Sequence, residues 1–129
     1  MYMKMNTSTI VIVAITIAMI GFITYTAMHR TVVPGKLDTF AQCLGDKGAK
    51  FYGAYWCPHC QAQKALFGNS VKLLPYVECS LPDGQTRTPI CIEKGIESYP
   101  TWILKDGSRL NGEIKLATLA EKTGCELPK

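Results

Sequence analysis

Cys57-Pro58-His59-Cys60 is the group of residues in this chain best suited to chemistry. Two thiols separated by two residues can close into a disulfide and reopen, so the pair can accept or release two electrons. An apolar run, Phe51-Tyr52-Gly53-Ala54-Tyr55-Trp56, precedes the motif, and a helix-like stretch from Gln61 to Phe67 follows it. A C-x-x-C that ends a strand and opens a helix is a thiol–disulfide exchange pattern. At a helix start, unpaired backbone N–H groups and the positive end of the helix dipole favour a thiolate at Cys57. Pro58 suits the first turn because its missing N–H is not needed there. His59 adds a cation beside the thiolate when protonated. A stabilised thiolate favours the reduced pair, so the disulfide tends to be given away and the pair acts as an oxidant.

The alternative for Cys57 and Cys60 is half of a zinc site. Such sites usually need a second close pair, and Cys43, Cys79, Cys91 and Cys125 are isolated. No metal and no cofactor is therefore expected. Cys79 and Cys91 flank a polar loop, and a structural disulfide between them would contribute about 2–3 kcal/mol. Two inert thiols, or a relay pair exchanging with Cys57–Cys60, are the other readings. Cys43 falls on the apolar face of the first helix and reads as a core thiol. A bond to Cys125 remains open, although the helices carrying them would pack on opposite faces of a sheet. Trp56 abuts the dithiol and either packs or offers an apolar docking surface. Trp102 reads as core.

The elements that must position these groups follow from periodicity. Leu37, Phe40, Ala41 and Leu44 share a helical face, with Asp38 or Thr39 as caps and Gly45 or Gly48 as the stop. Residues 49–56 read as a buried strand. The helix from Cys57 turns Ala62, Ala65 and Leu66 towards the core. A further turn at 70–74 precedes a short strand at 76–79. Thr88-Pro89 opens a short helix that Gly95 closes. Residues 101–104 form a strand, Asp106-Gly107 a hairpin turn, 109–114 a second strand, and Leu116, Leu119, Ala120 and Thr123 a last amphipathic helix. The order α-β-α-β-α-β-β-α predicts an α/β thioredoxin-like fold, a mixed sheet with helices on both faces.

A single N-terminal transmembrane helix is expected before this domain. Residues 10–28 carry no charge and as a helix would span about 28 Å at about 1.5 Å per residue, close to a hydrocarbon core. The run is long for a signal-peptide core, and no good small-x-small cleavage site follows, which favours a retained anchor. The expected organisation is a flank at 1–9, an anchor at 10–28, a linker at 29–36 and the thioredoxin-like domain at 37–129. Lys4 on one side and Arg30 and Lys36 on the other do not decide the orientation. Six cysteines in a small chain point to an oxidising compartment, which places the domain on the non-cytoplasmic side: periplasm, exterior or lumen. Basic and acidic residues nearly balance over 34–129, without a basic run, so nothing points to nucleic-acid binding.

With Ser98-Tyr99-Pro100-Thr101 following the C-x-x-C, the chain resembles the thioredoxin superfamily. The resemblance implies that Pro100 is cis and lies beside the dithiol, exposing the backbone of Tyr99 to pair with a substrate strand. The Pro-His dipeptide resembles that of the bacterial periplasmic oxidase DsbA. Phe40-Ala41-Gln42-Cys43-Leu44, the 52–60 motif, Tyr76-Val77-Glu78-Cys79 and Tyr99-Pro100-Thr101-Trp102 together resemble the thioredoxin-like domain of vitamin K epoxide reductase homologues. That resemblance implies an anchored oxidoreductase that oxidises the cysteines of secreted proteins. It also implies recycling by a quinone-linked membrane enzyme, expected here as a separate vitamin K epoxide reductase-like membrane protein because one span stands where those homologues carry a four-helix quinone-reducing domain. Thioredoxins carry a buried acid shortly before the first active cysteine; here Phe51 stands there, which leaves Glu78 as a candidate for proton transfer with Cys60. The rival readings are an anchored disulfide reductase of the cytochrome c maturation type and a non-catalytic binding or chaperone module on the Tyr99–Pro100 surface.

Overall fold

The computed structural model describes residues 6–28 and 34–129. The charged flanks Lys4 and Arg30, the start of the N-terminal flank and most of the expected linker lie outside the described residues. The chain divides into two compact units, Met1–Val33 and Pro34–Lys129. In the first, α1 (Thr7–Met28) is long and apolar enough to cross a membrane, with a mean hydropathy of 2.3. It begins earlier than the expected span of 10–28 because Thr7, Ser8 and Thr9 continue the helix. Thr16, Thr24 and Thr26 return their hydroxyls to backbone carbonyls three residues earlier, which satisfies these polar groups within the helix itself.

The second unit contains α2 (Asp38–Asp46), β1 (Lys50–Gly53), α3 (Pro58–Ala65), a 3-10 segment (Gly68–Leu73), β2 (Tyr76–Glu78), α4 (Pro89–Glu93), β3 (Thr101–Ile103), β4 (Arg109–Asn111) and α5 (Leu116–Thr123). The sheet order is β2-β1-β3-β4. β1 and β2 are parallel, joined through α3, whereas β1–β3 and β3–β4 are antiparallel. This is the mixed sheet of a thioredoxin-like fold.

Strand alternation divides the core. Phe51 faces one side and stacks on its register partner Trp102, with ring centroids 4.9 Å apart. Phe67 and Phe40 extend this cluster, which also takes in Leu44, Leu119 and Cys125. Tyr52 faces the other side, where it meets Cys79, Cys91 and Ile96. Leu37 is the N-cap of α2, which has no side-chain cap from Asp38 or Thr39. Pro34 to Leu37 already belong to this unit: Leu37 N donates to Ser70 Oγ at 3.0 Å.

Three expectations are corrected. The strand expected over 49–56 ends at Gly53, and Tyr55 and Trp56 are exposed in the turn that leads to α3. The core face of α3 carries Cys60 and Gln63, continued by Phe67 just beyond the helix, rather than Ala62, Ala65 and Leu66, which are exposed. Burial of Cys60 sets the rotation of the helix, and positions three and seven residues later follow it inward. Cys43 is not a lone core thiol. It is bonded to Cys125, with Cα atoms 5.9 Å apart. The helices were expected on opposite faces, but Leu44 of α2 and Leu119 of α5 share one core. Gly124, at φ 72°, then turns the chain so that Cys125 re-enters that core.

Candidate active site

Cys57 occupies the N-cap of α3, with extended backbone angles (φ −77°, ψ 118°), and Pro58 follows in the first turn. The Cys57 sulfur accepts from the backbone N–H of Cys60 at 3.4 Å, taking the place that a serine or aspartate oxygen usually fills. The turn before it is fixed from both sides. Cys57 N donates to Ala54 O, and the Gln61 side-chain amide donates to Tyr55 O at 2.7 Å. Cys57 is nearly buried and Cys60 wholly so.

The other wall is the loop before β3. The Tyr99–Pro100 peptide bond is cis, and the Tyr99 carbonyl oxygen lies 3.9 Å from Cys57 Sγ, within reach of a thiol hydrogen bond. Pro100 is fully buried. Trp56 sets its ring edge-on to Tyr99 at 6.0 Å between centroids, and its indole N–H donates to Ser80 Oγ at 2.9 Å. Trp56 is 51% exposed, so it both packs and presents aromatic surface next to the dithiol.

Behind the pair, Gly53 makes room for the inner sulfur. A Cβ added at Gly53 would lie 2.8 Å from Cys60 Sγ and 3.1 Å from Cε2 of Tyr76, so a side chain is excluded there. Burial pushes the Cys60 thiol up to about 12, with the neighbouring Cys57 sulfur adding to the effect. Burial raises the Tyr76 hydroxyl as well, helped by its bond to Glu78. Glu78 is engaged on both oxygens. Oε2 accepts from Tyr76 O–H at 2.7 Å, and Oε1 accepts from the backbone N–H groups of Tyr55 and Ser80. The carboxylate thus reaches the dithiol region through Tyr76.

His59 is exposed and meets Glu113 at 2.7 Å rather than standing alone. The backbone next to Glu113 is held by Gln63, a wholly buried residue one turn along α3 from His59. The Gln63 amide donates to Ile114 O at 3.0 Å and accepts from Ile114 N at 2.6 Å. Neither Gln63 nor Glu113 stood out in the sequence. The helical spacing of Gln63 from Cys60 was the available signal for the first, and nothing local marked the second.

Cys79 and Cys91 are joined by a disulfide, with Cα atoms 5.5 Å apart. The loop it closes is a small hairpin: Leu81 N donates to Thr86 O, Thr88 N donates to Cys79 O, and Ser80 bridges to Arg87. Besides Ser80 it offers Pro82, whose carbonyl accepts from Tyr55 O–H at 3.3 Å. Between this hairpin, Trp56 and Tyr99 lies an open cavity of about 280 Å³ that Arg87 and Glu97 also line. With four cysteines held in two disulfides, Cys57 and Cys60 are the free thiols among the described residues, and no second thiol pair is left to complete a zinc site.

A thioredoxin-like fold with a C-x-x-C at a helix start, facing a cis-proline loop, defines the class of thioredoxin-fold dithiol proteins. Comparison with known proteins agrees with that class. The chain is similar to the thiol-disulfide oxidoreductase LTO1 of Arabidopsis thaliana, with 51% identity over 92 residues, covering 67% of this chain and 24% of that protein. It therefore spans about a quarter of the length of the curated relative it matches. No protein-family model matches the chain.

Proposed function

We propose that the chain is a membrane-anchored thiol–disulfide oxidoreductase that works through a Cys57–Cys60 redox disulfide. The observation that carries this reading is the position of Cys57 Sγ: at the first turn of α3, 3.9 Å from the Tyr99 carbonyl, with Cys60 one turn behind it. The name of the Arabidopsis relative supports the same chemistry.

In the oxidising direction a substrate thiolate attacks Cys57 Sγ and the Cys57–Cys60 bond breaks. Cys60 leaves with the electron pair and takes up a proton. A second substrate thiolate then attacks the substrate sulfur of the mixed disulfide and expels the Cys57 thiolate. The substrate gains a disulfide and the protein holds two thiols. The backbone N–H of Cys60, at the start of α3, donates to the Cys57 sulfur as it is expelled. The exposed Trp56 and the Tyr99 backbone supply the docking surface, and His59 tunes the helix tip. The substrates are cysteines of secreted proteins, met on the non-cytoplasmic side. The reduced pair returns its electrons to a vitamin K epoxide reductase-like membrane protein.

The reduction potential of the dithiol tests the direction. A value near about −120 mV supports an oxidant, whereas one near about −270 mV assigns the chain to the reductase rival. A Cys60→Ala chain should accumulate mixed disulfides at Cys57, and mass spectrometry of these adducts names the substrates. Absence of any adduct would remove the exchange reading in favour of a non-catalytic binding module.

A further inference from the structure

We propose that Lys64 is a positioning residue for the step at Cys60: its ammonium fixes a positive charge beside the buried sulfur by resting on the ring of Tyr76. The inference builds on the exchange chemistry proposed for Cys57–Cys60 and assigns a residue to its least accessible step.

Three observations converge on it. Lys64 lies four residues after Cys60 on α3, so the two share a helix face. Its Nζ stands 3.5 Å from the centroid of the Tyr76 ring, a cation–π seat. The edge of that same ring borders Cys60 Sγ across Gly53, where an added Cβ would touch both. The seat is itself held, because Tyr76 O–H donates to Glu78 Oε2 and the other Glu78 oxygen is fixed by two backbone N–H groups. The ring cannot swing away without giving up the Glu78 bond.

A cation in this place answers a specific difficulty. Burial disfavours the Cys60 thiolate, yet Cys60 must become a thiolate both when the disulfide opens and when it closes again. Among the charged and titratable groups around the sulfur, Cys57 on the same helix, Tyr76 and Glu78 on β2, and Tyr99 on the facing loop all repel a negative charge in their ionised forms. Lys64 acts in the opposite sense and favours the thiolate. His59 is engaged with Glu113 at the exposed tip of the helix. As a surface residue that only covers the Tyr76 ring, Lys64 would contribute packing and have no bearing on the ionisation of Cys60.

The two readings separate in a single-turnover experiment on the reduced full-length chain in detergent micelles. One equivalent of the chromogenic disulfide dithiobis(nitrobenzoate) is added. The Cys57 thiolate attacks it and releases a first nitrothiobenzoate. Cys60, after losing its proton to solvent, attacks Cys57 Sγ, forms the Cys57–Cys60 bond and releases a second. In Lys64→Met the second release should slow about tenfold near neutral pH, its pH profile moving up by about one unit, with the slowing confined to that release. Lys64→Arg should restore the native profile. A Lys64→Met profile that superimposes on the native one overturns the role of Lys64, as does a loss that Lys64→Arg fails to rescue. A native chain that gives no second release overturns instead the exchange reading on which the proposal stands.

Discussion

Cys43 and Cys125 lie 82 positions apart and share a bond, whereas Cys57 and Cys60 lie one helical turn apart and are free. The first pair joins α2 to the chain just after α5, on the face where Phe40, Leu44 and Leu119 pack. Neither of its sulfurs stands at a helix N-terminus. The second pair stands at a helix start, opposite the Tyr99 carbonyl, with space cleared for the inner sulfur by Gly53. Cross-linking distant segments removes freedom from the unfolded chain, so the first arrangement acts on stability. The second closes almost no loop, so a bond there would add little to stability, and its surroundings are those of the exchange chemistry proposed above. What surrounds a sulfur, and how much chain it spans, separates a staple from a reagent within one small unit.

The largest effect should follow removal of the staples. Replacing Cys43 and Cys125 together by alanine should cost about 4–5 kcal/mol by the loop-entropy relation, read from denaturant midpoints. Replacing Cys79 and Cys91, whose loop is far shorter, should cost about 3 kcal/mol. In the Cys43/Cys125 variant the rate of exchange at Cys57, measured below the unfolding transition, should stay near the native rate. An exchange rate that collapses in that folded variant would show that the distant staple takes part in the chemistry.

A smaller effect is expected at Gly53. In Gly53→Ala the new methyl group meets Cys60 Sγ and the Tyr76 ring, so one of them must move, at a cost of about 1–3 kcal/mol. Loss of stability should come with slower closure of the Cys57–Cys60 disulfide. A stable variant with native closure kinetics would mean that the inner sulfur has more room than the packing indicates.

The effect that is smallest near neutral pH is a pH dependence. The folded Cys60 thiol holds its proton up to about 12, against an ordinary value of 9.0, so the folded state binds that proton more tightly than the unfolded state does. Its contribution to stability is therefore complete below pH 9.0 and falls as pH rises towards about 12. Comparing Cys57→Ser with Cys57→Ser/Cys60→Ser isolates this term. The first should lose stability relative to the second above pH 9.0, and a flat difference would contradict the burial of Cys60.

Much of the fold was legible because its signals are local. The strand–C-x-x-C–helix order, the Thr88-Pro89 helix start and the Asp106-Gly107 turn each lie within a few residues, and each element formed where its pattern stood. The fold class followed from their order. The candidate site was legible in its sulfurs and its proline, which carry their own spacing. What the sequence hid depends on rotation and on remote partners. Gln63 reads as a surface residue by polarity, but the inward turn of Cys60 carries it into the core, where the Ile114 backbone satisfies its amide. The Cys43–Cys125 bond required knowing that α2 and α5 share a face, which no local pattern states. Glu113 met His59 only because the chain leaves the sheet after Asn111, sooner than the alternation over 109–114 indicated.

Gln63 has a consequence of its own. Apolar contacts are indifferent to small rotations of a helix about its axis, whereas a pair of hydrogen bonds to the backbone N–H and C=O of one residue is directional. By gripping both the N–H and the C=O of Ile114, Gln63 acts as a rotational key one turn along α3 from the exposed tip. The aim of the outer sulfur at its facing carbonyl is thus indexed by an amide lodged deep in the interior, and a substitution there would misalign the reagent without touching it.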